Sequence, residues 1–108
     1  MTLHRTLMAN RWTSLSLAEQ LGNVGSEFLR TRQWAERGDE VRRRAAFDRF
    51  LELMDATVAD TRWSGLRKRE LTKLREQTTK ALTGHPSYLP DNLQKYFDQF
   101  AFLARNTH

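Results

Sequence analysis

Apolar side chains recur at helical spacing in four stretches of this chain, separated by short polar breaks. In the first stretch Leu17, Leu21, Val24 and Phe28 fall three or four residues apart, which puts one apolar stripe on a helix. Ser16 and Glu19 stand in the S-x-x-E arrangement, where a hydroxyl accepts from an early backbone N–H and the glutamate reaches back to the cap. The helix therefore begins at Ser16, and Gly38 predicts an end near Arg37. A second helix starts at Asp39 or Glu40, whose charge suits a helix N-terminus. Val41, Phe47, Phe50, Leu51, Met54 and Val58 mark its buried face, and it fades across "DTRWSG" at 60–65. The third runs from about Leu66 to Leu82, with Leu71, Leu74, Thr78 and Leu82 inward and Gly84 closing it. Pro86 and Pro90 then break the chain. Asp91 and Gln94 repeat the capping pattern, and Leu93, Tyr96, Phe97, Phe100, Leu103 and Ala104 supply an aromatic stripe for a fourth helix.

No segment alternates with period two for long enough to predict a strand. Short connections favour antiparallel neighbours, so the expected fold is all-α, an up-and-down antiparallel four-helix bundle. Residues 1–15 read as an N-terminal extension and 16–105 as a single bundle domain. Within the first helix Ala18, Gly22 and Ser26 recur every four residues with Gly25 beside them. A row of small residues lets another backbone approach closely, which offsets a propensity cost of about 1 kcal/mol per glycine. The approaching helix belongs either to this bundle or to a second copy. A phosphate-binding role for the pair is weaker: G-x-x-G after a helix start matches neither a P-loop nor a dinucleotide fingerprint.

Composition adds limits. With 108 residues there is room for one domain with a small core, so oligomerisation stays open. The absence of cysteine excludes disulfides, thiolate metal sites and a thiol nucleophile. The opening "MTLHRTLMANRW" has no apolar run of signal-peptide length, and no window approaches a membrane span. The expected location is cytoplasmic. Net charge is +5, from 18 Lys plus Arg against 13 Asp plus Glu, a balance that raises the odds of a polyanionic partner.

Catalytic patterns are missing. His4, His85 and His108 fall in the tail, a proline-containing loop and the last position, and none pairs with a carboxylate three or four residues on in a helix. The arginine-to-histidine spacing of a HEPN-type nuclease is missing, and no G-x-S-x-G elbow occurs. Glu27, Glu52, Asp55 and Glu70 sit on three helices, but a di-iron bundle needs Glu-x-x-His pairs. Glu27 and Asp55 are better read as flanks of the core paired with Arg30 and Arg75. No catalytic residue, metal or cofactor is expected.

The basic residues cluster twice. Arg42, Arg43, Arg44 and Arg49 crowd the second helix near Arg37, while Arg62, Arg67, Lys68, Arg69, Lys73 and Arg75 crowd the start of the third against Glu70. In an antiparallel hairpin these groups lie at opposite ends, roughly 25 Å apart at the helical rise. Positive charge at a helix N-terminus opposes the macrodipole, so residues 67–69 are poorly explained by stability. A solvated face is the bland alternative. Trp12, Trp34 and Trp63 lie at helix ends and suit the polar boundaries of a core, with a base-stacking role for Trp63 as the alternative.

"RWTSLSLAEQLGNVGSE" at 11–27, "LELMDATVADTRW" at 51–63 and "RKRELTKLRE" at 67–76 resemble a group of small bacterial helical proteins that share an LAEQLGN[IV]GSE-like first helix and a D-x-T-x-A-D second-helix end. The resemblance covers roughly Arg11 to Glu76 and implies a fold without an assigned chemistry; under it Met8 is an alternative start, against an ordinary extension. By architecture alone the chain is also similar to the four-helix accessory variability determinants of diversity-generating retroelements and to the proteins encoded in ribosomal RNA intervening sequences. The first of these assemble as rings that bind RNA and a reverse transcriptase. The leading expectation is a non-enzymatic bundle that binds nucleic acid, RNA before DNA, through Arg42, Arg43, Arg62, Arg67, Lys68, Arg69 and Lys73. It would serve a ribonucleoprotein or reverse-transcription machine. The alternative is a protein–protein or oligomerisation module that uses the face of Ala18, Gly22, Gly25 and Ser26, or the aromatic face of the fourth helix.

Overall fold

In the computed structural model residues 11–84 and 93–100 are described. Met8, the three histidines, the Asp91 cap, Leu103 and Ala104 lie outside them. The chain is an all-α up-and-down bundle of four helices, with no strand among the described residues. Helix α1 spans Leu17–Glu36, α2 Glu40–Ala59 and α3 Gly65–Leu82. A fourth helix, α4, covers 93–100.

The ends follow their local chemistry. The Ser16 hydroxyl accepts from Glu19 N at 3.1 Å while the Glu19 carboxylate accepts from Ser16 N at 2.9 Å, so the capping box closes. Arg37 is the last cap of α1, and Gly38 turns the chain at φ 72°, a left-handed conformation that glycine adopts without a Cβ clash. The Asp39 carboxylate accepts from Arg42 N at 3.0 Å and opens α2. Asp60 ends it. Ser64 opens α3 without a side-chain cap bond, and the first turn of α3 holds no acid.

The core gathers Leu21, Val24 and Phe28 from α1, Phe50 and Met54 from α2, Leu71 and Leu74 from α3 and Phe97 from α4. Phe28 is its hub, with ring centroids 6.0 Å from Phe50 and 5.5 Å from Phe97. Burying each large apolar side chain contributes about 1.5–3 kcal/mol. Trp12 also belongs to this cluster, so the packed body begins before Ser16 and part of the stretch read as an extension is core.

Gly25 answers the small-residue question. A Cβ there would lie 2.8 Å from Phe97 Cγ and closer still to Phe97 Cβ, so α4 packs against the bare backbone of α1. The row does not act as one surface, however. Ala18 and Gly22 are half-buried, and Ser26 is exposed with its hydroxyl donating to Gly22 O at 3.2 Å.

One core expectation is corrected. Val41 is 82% exposed. Nine residues separate it from Phe50, and at 100° per residue that is half a turn out of phase. Ala46, Phe50, Met54 and Thr57 are the buried positions of α2, while Phe47, Leu51 and Val58 are half-buried.

Candidate nucleic-acid interface

On α3 the buried positions Leu71, Leu74 and Thr78 set one face inward. Arg69 and Lys73, four residues apart, take the opposite side, with Lys68 on its flank. All three are exposed and none meets a carboxylate among the described residues. Arg67 reaches Glu70 at 3.4 Å with both side chains at least half exposed, so that pair holds the guanidinium only weakly. The Thr72 hydroxyl donates to Lys68 O at 2.9 Å and ties itself to the helix.

The other expected binders are engaged differently. Arg62 wraps the Asp60 carboxylate, with Nη2 2.8 Å from Oδ2 and Nε 3.1 Å from Oδ1, and donates a further bond to Leu15 O. The Asp60 side chain is almost wholly buried. Arg62 and the Gln20 amide hold its carboxyl down at about 2, against an ordinary 3.8. The Arg62 guanidinium also lies over the Trp63 ring, 4.6 Å from its centroid. Arg62 is therefore a fastening of the fold. Arg43 forms a two-pronged pair with Glu40 that lowers the glutamate's pKa and raises its own. Arg42 lies 3.7 Å from Asp39 and, with Arg37, covers the Trp34 ring at 4.8 and 5.2 Å. Arg43 and Arg44 share a cleft with Leu82, Thr83 and Gly84, which places the start of α2 beside the end of α3. The two basic clusters thus sit at opposite ends of the hairpin.

Two features escaped the sequence reading. The first is a buried polar latch around Gln20, which is fully buried. Its Nε2 donates to Trp12 O at 2.9 Å and to Asp60 Oδ2 at 2.8 Å, and its Oε1 accepts from Trp63 Nε1 at 2.8 Å. Beside it, Trp12 Nε1 donates to Thr57 Oγ1 at 3.1 Å. Three separate parts of the chain are joined at this end of the bundle. Trp63 sits at the core boundary and Trp12 within the core, whereas Trp34, at the far end, is roofed by arginines.

The second is a half-open cleft of about 590 Å³ between α1 and α2. Arg11, Arg30 and Arg49 stand around it, with Glu27 at its base and Trp12 and Leu53 in its apolar wall. Glu27 pairs with Arg30 and lies 3.9 Å from Arg49. The pairs of Glu27 with Arg30 and of Asp55 with Arg75 match the sequence reading; the approach of Arg49 is tertiary and had no local signal. The four carboxylates Glu27, Glu52, Asp55 and Glu70 do not converge, as no group of three potential metal ligands forms among the described residues. No helix there is long and apolar enough to cross a membrane. Comparison with protein-family models, curated proteins and solved structures finds no match to this chain.

Proposed function

We propose that the chain is a non-enzymatic, cytoplasmic nucleic-acid-binding bundle, with structured RNA favoured over DNA. The observation that carries this reading is the outward side of α3, where Lys68, Arg69 and Lys73 present three cations with no acidic partner among the described residues. Lys68 and Arg69 stand at the end of an opening turn that lacks an acid, where positive charge opposes the helix dipole, and Lys73 follows one turn on. Such a cluster adds nothing to the helix's own stability, and an anionic partner would offset its mild self-repulsion. The backbone phosphates of a nucleic acid meet it at a spacing that rewards several cations in a row. RNA is favoured over a specific DNA sequence because the long helices show no helix-turn-helix pattern that would present a recognition helix to a major groove. The narrower role, as an accessory to a ribonucleoprotein or reverse-transcription machine, rests on likeness of architecture alone.

Fluorescence anisotropy of a labelled RNA hairpin, titrated across about 50 to 200 mM salt, tests the reading. Wild-type binding is expected to weaken steeply with salt. The triple variant Lys68→Glu, Arg69→Glu, Lys73→Glu is expected to bind more than about tenfold more weakly, with a salt slope shallower by about three. Unchanged RNA binding by that variant overturns the assignment to α3. No binding at low salt overturns the whole reading and turns the search to protein partners.

A further inference from the structure

The cleft between α1 and α2 stands apart from the α3 face. Arg49 and Leu53 line it from the side of α2 opposite Phe47 and Asp55, the residues that meet α3. Its charge is uneven: three guanidiniums against a single carboxylate. The Arg30 and Arg49 side chains are more than half exposed, yet both are drawn to one oxygen of Glu27, whose own side chain is only 5% exposed. Two guanidiniums are therefore held at the rim by a buried anchor, with part of their ordering cost already met by the fold. Their outer N–H groups remain available, in the geometry that suits a phosphate or carboxylate.

Two further observations narrow the ligand. Glu27 Oε1 draws both guanidiniums, while its Oε2 is buried away from the cleft's solvent. A cationic ligand would have to sit among three guanidiniums, whereas a nucleobase carries no charge. Trp12, Leu15 and Leu53 give the cleft an apolar side on which a flat ring can lie. Ser26 spends its donor on Gly22 O and Asn23 one of its two on Glu19 O, which leaves acceptor oxygens and one amide N–H on the same rim. The volume of about 590 Å³ is within the range of small-ligand sites.

We propose that this cleft binds one phosphorylated nucleoside, its phosphate on Arg30 and Arg49 with Arg11 alongside and its base against the Trp12–Leu53 wall. The unit is either a free mononucleotide or a nucleotide splayed out of an RNA strand, since both offer the same chemistry. This site uses none of the α3 cations.

Equilibrium dialysis of the intact chain against AMP, GMP, CMP and UMP, each beside its unphosphorylated nucleoside and inorganic phosphate, tests it. At least one nucleotide is expected to bind saturably at one site per chain, and the nucleoside or phosphate alone at least about tenfold more weakly. The double variant Arg30→Ala, Arg49→Ala is expected to lose about tenfold or more, while the α3 triple variant binds as wild type. Protection of Arg30 and Arg49 from phenylglyoxal by the nucleotide, read by peptide mass spectrometry, gives the same answer without mutation. Absence of saturable binding overturns the proposal. So does inorganic phosphate competing as well as the nucleotide, or a nucleotide that leaves both arginines unprotected. Displacement of the labelled RNA hairpin by saturating nucleotide assigns the site to a splayed RNA residue; persistence of the RNA assigns it to a free nucleotide. RNA binding without nucleotide binding overturns the cleft alone, and nucleotide binding without RNA binding overturns the α3 reading alone.

Discussion

Gln20 joins the segment before α1 to the connection between α2 and α3 through a single amide, with both of its donated bonds buried and the bond it accepts from Trp63 half-buried. Replacing it by leucine keeps the bulk but strands the Trp63 indole N–H and removes a donor from buried Asp60. Gln20→Leu is therefore expected to cost about 2–4 kcal/mol, measured by urea denaturation. Asp60 carries a pH signature. Its carboxyl is lowered in the folded chain from an ordinary 3.8 to about 2, so its stabilisation is full above pH 4 and disappears as the pH falls towards 2. The contribution is about 2 kcal/mol, and Asp60→Asn is expected to remove that part of the acid dependence in melts taken between pH 6 and about 2. At Gly25 two effects oppose each other. Alanine gains about 1 kcal/mol of helix propensity, but its Cβ would strike Phe97 backed by the core, a cost of about 1–3 kcal/mol. The clash with a buried side chain decides the sign, and Gly25→Ala is expected to lower the melting temperature.

The helices show which information is local. Ser16, Glu19, Gly38 and Asp39 act on backbone groups within a few residues, so the ends of α1 and the start of α2 were legible from spacing alone. Phe28, Phe50, Leu71 and Phe97 were legible for the same reason: an apolar stripe has one way to face a core. Val41 was misread because apolar character was allowed to outweigh phase. Gln20 was invisible to a hydrophobic pattern, since its burial is licensed by Trp12, Asp60 and Trp63, which are distant in sequence. Of the expected binding residues, the grouping on α3 was legible. The engagement of Arg62 and Arg43 was less so, because a cluster of arginines in sequence does not say which of them already holds an acid.

For the whole molecule, the excess of +5 is distributed unevenly in its consequences. The cation on Asp60 ties the α2–α3 connection to the segment before α1, the one on Glu40 pairs within α2, those on α3 face water, and those at the α1–α2 cleft are drawn to a buried glutamate. The latch end has an optical consequence. Two of the three tryptophans, Trp12 and Trp63, donate their indole N–H groups within that end. Trp34 stands under two guanidiniums at the other end of α1, which is about 30 Å long. The chain is thus labelled at both poles by its own chromophores. With Trp34 replaced by phenylalanine, its tryptophan emission comes wholly from the pole where the latch closes and Trp12 borders the cleft, so loosening there can be followed separately from events at the α1–α2 turn.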